Sequence, residues 1–280
     1  MEYVMKNTSL YITVLVGVIF FVAGAWAVKF DYIVNHFAFH PSKDFLSVAG
    51  IETIPHIRST YINTHDGERL EAAFIENSSS PYITLFFHGN AGAIADRIGF
   101  LQTLAQQGTS VLGVGYRGYG ASTGRPSEDG IYTDGKAAVA YAVDSLGYTS
   151  DNILLCGRSI GTAVAVKTAL VDDFRGVILI SPISTAREYA AYHDFGIFSL
   201  FAGSSFPISS TVESLTLPLL VIHGTADRIL PCEMGKTLFR RAASEHKDFV
   251  AIEDGTHNGL EYEDAELFWG SISAFISQRR

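Results

Sequence analysis

Ser159 stands between two glycines in the run Gly157-Arg158-Ser159-Ile160-Gly161. A serine hydroxyl is a weak nucleophile unless a base takes its proton and a third group holds that base in one tautomer. Small residues on both sides of a serine suit a sharp, strained turn that pushes the hydroxyl out at the carboxyl edge of a sheet. The context fits: an apolar run over 152–156 precedes the serine, and a helical pattern starts at Thr162. The amino terminus of that helix would favour a developing oxyanion. A glycine-rich turn needed only for close strand–helix packing is the alternative.

The partners should follow in the order serine, acid, histidine. Of the nine histidines, His246 and His257 lie beyond a plausible acid. His257, in the loop Gly255-Thr256-His257-Asn258-Gly259 after the last expected strand, is the base. Asp227 follows an apolar strand pattern through Gly224-Thr225-Ala226, which places its carboxylate at the same sheet edge. Asp254 competes, but three residues before His257 on one loop it better shapes a turn. Histidines 36, 40, 56, 65 and 193 are assigned solvated or core roles. A tetrahedral intermediate also needs backbone donors. Ile160, next after the nucleophile, supplies one N–H, and Asn90 in His88-Gly89-Asn90-Ala91-Gly92 supplies the other. His88 orders that loop by hydrogen bonding.

The stretch 116–124 (Tyr-Arg-Gly-Tyr-Gly-Ala-Ser-Thr-Gly) lacks both the G-x-G-x-x-G order and the Walker lysine, so it reads as a turn-rich loop and not a phosphate cradle. Arg117 is expected to pair with a carboxylate of the fold. Cys156 reads as a small buried apolar residue, and Cys232 has no evident catalytic partner. Neither cysteine sits in a spacing suited to zinc or to a disulfide framework, so no metal and no cofactor are expected.

The elements that must position these residues are legible as short apolar runs at 82–88, 109–115, 152–157, 176–181, 218–223 and 248–253. Continuous runs, in place of alternation, mean strands covered on both faces, and stretches such as 134–146 and 161–171 fit crossover helices. Segments 57–64 and 69–76 flank Asp66-Gly67, a hairpin signal. The fold class is α/β, a doubly wound, mostly parallel sheet. About 35 residues separate the fourth run from the fifth, far beyond the usual loop. Their aromatics (Tyr189, Tyr192, Phe195, Phe198, Phe201, Phe206) suit a cap at about 183–216 over an apolar pocket, or a crossover with a tail on the core.

Composition agrees: 48% hydrophobic and 18% charged residues in 280 can bury a large core, which excludes global disorder. The net charge of −9, without a dense basic cluster, makes nucleic acid a poor partner. From Asn7 to Val28 no residue is charged, and 10–28 is apolar nearly all round a helix. About 20 residues at 1.5 Å rise span roughly 30 Å, so 1–30 is expected to be a single-pass anchor contacting the lipid bilayer through 10–28. A cleaved signal peptide ending near Ala25-Trp26-Ala27 is the alternative. Residues 31–56 then connect, and 57–280 form the domain with its cap. The flanking charges leave the side of the membrane open.

The motifs HGNAG (88–92), YRGYGASTGRPSEDG (116–130), GRSIG (157–161), HGTADRILP (223–231) and GTHN (255–258) occur in an order and spacing that resemble the α/β-hydrolase superfamily. Together they look like its small, often membrane-anchored serine-hydrolase branch, which includes eukaryotic depalmitoylating members. Those members are tethered through a cysteine-rich acylated amino terminus, whereas this chain has an apolar stretch there and no cysteine. The resemblance implies the fold and a serine triad; the superfamily splits esters, thioesters and amides, so substrate must rest on the site. The expectation is a membrane-anchored serine hydrolase that forms an acyl-enzyme, with a small-molecule, lipid or acyl-protein ester or thioester as substrate. A peptidase or amidase on the same triad, and a non-catalytic membrane scaffold, are the alternatives.

Overall fold

The structure is a computed structural model and describes residues 38–42, 56–196, 199 and 205–278. The apolar stretch 10–28, expected as a bilayer anchor or signal peptide, lies outside the described residues. Among those described, no helix is long and apolar enough to cross a membrane.

Strands β1 (Ile57–Asn63) and β2 (Arg69–Ile75) form an antiparallel hairpin across Asp66-Gly67. Gly67 takes φ 91°, the left-handed value such a turn requires and a side chain would resist. Strands β3 (Ile83–Phe87), β4 (Ser110–Val114), β5 (Ile153–Arg158), β6 (Gly176–Ile180), β7 (Leu219–Gly224) and β8 (Lys247–Ile252) run parallel to one another. The eight lie in the order β8-β7-β6-β5-β3-β4-β2-β1, with β2 antiparallel to β4.

The central strands are buried on both faces, as their unbroken apolar runs demand. Alternate residues serve opposite layers. Leu85, Leu155, Leu179 and Val221 pack with α2 (Glu128–Asp144), α3 (Gly161–Ala169) and α5 (Cys232–Arg241). Phe86, Leu154, Ile178 and Ile222 pack with α1 (Ile98–Ala105) and α6 (Ala265–Ser277). The sheet is therefore doubly wound.

Helix α2 starts at Glu128, ahead of the expected 134, because Ser127 caps it: its Oγ accepts the Gly130 N–H at 3.1 Å. Glu128 and Asp129 in the first turn add favourable charge at the positive end of the helix dipole. The cap region holds α4 (Ala186–Tyr192), capped by Thr185, and a single turn at Ile208–Thr211. It divides its aromatics: Phe206 is buried and packs on Phe39 at 6.2 Å, while Tyr192 and Phe195 face solvent. The connecting segment is tied to the domain where it is described, since His40–Pro41 pairs in parallel with Ala91–Gly92.

Candidate active site

The turn between β5 and α3 is built by close approach. A Cβ on Gly157 would lie 2.3 Å from the Gly161 carbonyl oxygen, and one on Gly161 would lie 2.1 Å from that of Phe87. Neither position admits a larger residue without moving backbone. Between them Ser159 takes φ 55°, a left-handed conformation costly for a residue with a Cβ and held here by its surroundings. Its N–H donates to the Ile180 carbonyl at 2.9 Å, and its own carbonyl accepts from Thr162 N–H at 3.0 Å.

The three residues expected to act together meet. His257 Nε2 lies 3.1 Å from Ser159 Oγ, and His257 Nδ1 lies 2.7 Å from Asp227 Oδ2. With a carboxylate on Nδ1, that nitrogen carries the proton and Nε2 presents its lone pair to the serine hydroxyl. The Asp227 carboxylate is fully buried. Burial alone would raise its pKa, but hydrogen bonds from His223 and His257, with the Leu230 N–H, hold it below the usual carboxylate range. Its Oδ1 accepts N–H groups of Ile229 at 2.9 Å and Leu230 at 2.8 Å, so the carboxylate also shapes its own loop. Asp254 takes no part: it sits at φ 53° in the turn before His257, its N–H on Thr225 Oγ1.

The two expected oxyanion donors flank the serine. Gly89 packs against Ser159, its Cβ position 3.4 Å from the serine Cβ, which brings the 88–92 loop to the hydroxyl. Among the described residues, neither the Asn90 nor the Ile160 N–H is spent on a backbone acceptor. The Asn90 carbonyl is held instead, by His40 N–H at 3.0 Å and Tyr119 Oη–H at 2.8 Å. His88 orders the loop as expected: its buried ring donates from Nδ1 to the Gly89 carbonyl at 2.7 Å and packs on Tyr116 and Tyr119. Tyr116 Oη–H donates to the His88 carbonyl. A groove of about 430 Å³, lined by Ala226, Arg228, Ile229, Thr256, His257 and Asn258, opens beside the histidine.

Two contributions were not foreseen from the residues alone. His223, at the end of β7, donates from Nε2 to the Leu230 carbonyl at 2.8 Å and stands 3.4 Å from Asp227 Oδ2; its Nδ1 is buried without a partner among the described residues. Its position four residues before the acid, at a strand's carboxyl end, was the available signal. Arg158, just before the serine in the elbow, pairs with both oxygens of Glu261 at 3.0 and 3.1 Å and donates to the His257 carbonyl at 3.3 Å. It thereby fastens the histidine loop to the elbow. A charged residue held at a half-closed strand end was the only hint.

Arg117 pairs within the scaffold, as expected: it binds Asp134 through Nε and its own backbone N–H, both at 2.8 Å, and Asp66 of the hairpin turn through Nη1 at 2.8 Å. Cys156 is buried in β5, and burial pushes its thiol pKa up to about 12, which leaves it inert. Among the described residues no group of three or more His, Cys, Asp or Glu could hold a metal ion.

The likeness to known proteins matches this architecture. The family profile described as serine aminopeptidase, S33, matches residues 81–207 and 207–264. An uncharacterized protein of Mycobacterium tuberculosis (strain ATCC 25618 / H37Rv) is 31% identical over 228 residues, covering 80% of this chain and 81% of that protein. Alpha/beta hydrolase domain-containing protein 17B of Homo sapiens is 30% identical over 217 residues, covering 77% and 73%. Among solved structures, the Pyrococcus furiosus esterase Pf2001 superposes with a TM-score of 0.71 at 19% identity, covering 85% of this chain and 95% of its own. Est1E of Butyrivibrio proteoclasticus, with ferulic acid bound, gives 0.64 at 21% identity over 78% and 97%. At these identities the solved structures speak for the fold. With its elbow, sheet order and matched profile, the chain belongs to the α/β-hydrolase superfamily, in the serine aminopeptidase S33 family, and is of hydrolase type.

Proposed function

We propose that this chain is a membrane-anchored serine hydrolase that cleaves carboxylic esters or thioesters of acyl chains through an acyl-enzyme intermediate. The observation that carries the reading is the hydrogen-bonded series Ser159–His257–Asp227 at the carboxyl edge of the sheet. Ser159 Oγ attacks the acyl carbonyl while His257 Nε2 takes its proton, and the oxyanion settles on the Ile160 and Asn90 N–H groups. As the carbon–oxygen or carbon–sulfur bond breaks, the same Nε2–H returns its proton to the leaving alcohol or thiol. Water then attacks the acyl-serine with His257 again as base, releasing a carboxylic acid. Asp227 stays ionised throughout, orienting the ring and balancing its charge. No cofactor enters these steps.

The anchor reading rests on the uncharged stretch from Asn7 to Val28. The acyl preference rests on the apolar Ile229 beside His257 in the groove and on the company of esterase folds. A second reading, an aminopeptidase on the same three residues, draws on the family description. The two separate in one experiment on full-length protein in detergent: turnover of p-nitrophenyl esters and acyl thioesters of graded chain length, beside aminoacyl p-nitroanilides. Ester and thioester turnover is expected to dominate. Faster anilide turnover would assign the peptidase, and esterase turnover by Ser159→Ala within tenfold of the parent would remove the serine from the reaction.

A further inference from the structure

Three large apolar side chains stay exposed at one corner of the molecule: Tyr192 at 49%, Phe195 at 51% and Ile229 at 43% of their accessible surface. Single exposed apolar residues are ordinary, but these are fastened together. His193 Nε2–H donates to the Ile229 carbonyl at 2.9 Å, which joins the end of α4 to the loop after β7. The His193 ring stacks with Phe195 at 6.2 Å and meets Tyr192 edge-on at 5.0 Å. Ile229 also lines the groove beside His257, so the patch is continuous with the mouth of the site.

The amino-terminal chain reaches the fold on the same edge of the sheet. Phe39 packs on Phe206, His40 N–H donates to the Asn90 carbonyl, and the Ser42 carbonyl accepts Gly120 N–H. Nine residues, hence ten Cα-to-Cα steps, separate Val28, the end of the apolar stretch, from Ala38. Fully extended, that length reaches at most about 35 Å. A domain of this chain length is roughly 45 Å across. The tether is thus too short for the domain to turn over and lay its opposite edge on the membrane, whereas the edge carrying Asn90, Ser159 and the patch lies within reach.

We propose that the face bearing Tyr192, Phe195 and Ile229 docks on a lipid surface and sets the mouth of the site against the bilayer, so that acyl groups enter from the membrane and not from water. This rests on the anchored-hydrolase reading. Aromatic rings at the water–lipid boundary supply favourable transfer without a deep insertion, and the two-dimensional tether keeps the local concentration of that surface high.

The test uses full-length protein in phosphatidylcholine vesicles. In a Cys232→Ser background, an NBD label is placed through Phe195→Cys on the patch or through Asp144→Cys at the end of α2, on the opposite edge. Doxyl-labelled lipid is expected to quench position 195 and leave 144 unchanged. In parallel, Tyr192→Ser with Phe195→Ser is expected to slow hydrolysis of a bilayer-embedded long-chain ester about tenfold, with turnover of soluble p-nitrophenyl acetate unaltered. Protein that floats with vesicles yet shows no quenching at 195 overturns the docking face alone. Protein that fails to float overturns the anchor reading and the docking face with it. Absent quenching with a dimer in analytical ultracentrifugation assigns the patch to a second copy.

Discussion

His88 ties the acid stability of this protein to the loop that carries Asn90. The imidazole is fully buried, and its Nε2 has no partner among the described residues. Burial drives its pKa from the ordinary 6.5 down to about 4, with the hydrogen bond to the Gly89 carbonyl working partly against that fall. The folded state therefore refuses a proton that the unfolded chain accepts once the pH drops below 6.5. Stability from this group is complete above that value and drains away as the pH falls toward 4. With those two values, proton linkage gives a loss of about 2 kcal/mol between pH 7.5 and pH 5. His88→Phe removes the titration while keeping an aromatic ring against Tyr116 and Tyr119. Urea unfolding of the full-length parent and variant in non-ionic detergent, followed by tryptophan fluorescence, gives their stability difference at each pH; groups common to both cancel. The parent's advantage is expected to shrink by about 2 kcal/mol from pH 7.5 to 5. A difference that moves by less than about 0.5 kcal/mol would refute the buried neutral histidine.

Three further outcomes follow from the same contacts. Asp227→Asn keeps an acceptor for the Ile229 and Leu230 N–H groups but turns the His257 tautomer around, so kcat should fall about 10⁴-fold with the melting temperature little changed; a fall under tenfold would detach the carboxylate from the histidine. Gly161→Ala drives a Cβ into the Phe87 and His88 carbonyls and should cost more than about 3 kcal/mol, read by unfolding or by loss of folded yield. Glu261→Gln preserves shape but leaves the half-buried Arg158 without its charge partner, and should cost about 1 to 3 kcal/mol. In steady-state kinetics it should lower kcat more than it raises KM, because Arg158 also holds the His257 carbonyl; unchanged kcat would make the pair purely structural.

Most of the fold was legible because its central strands are buried on both faces, and such strands declare themselves as unbroken apolar runs such as 83–87 and 176–180. The elbow was legible for a steric reason: Gly157 and Gly161 sit where backbone meets backbone, so their spacing around Ser159 reflects geometry. Asp227 and His257 followed from chain order. The start of α2 was less visible, since glycine and aspartate dilute its apolar pattern and the signal is one capping serine at 127. The roles of His223 and the Arg158–Glu261 pair were barely signalled, for another reason. Each acts through a partner far along the chain or through a backbone carbonyl, and neither spacing nor periodicity encodes such a contact. The cap was legible only as an excess of aromatics; which rings turn inward, as Phe206 does, and which outward, as Phe195 does, depends on packing against Phe39 and His193.

The central claim is that Ser159 is an activated nucleophile. Full-length protein in detergent should be treated with a fluorophosphonate, beside Ser159→Ala and His257→Ala, and read by intact mass. One adduct on the parent, and none on either variant over the same time, is the predicted result. An unlabelled parent that is folded, or an equal adduct on Ser159→Ala, would contradict the account.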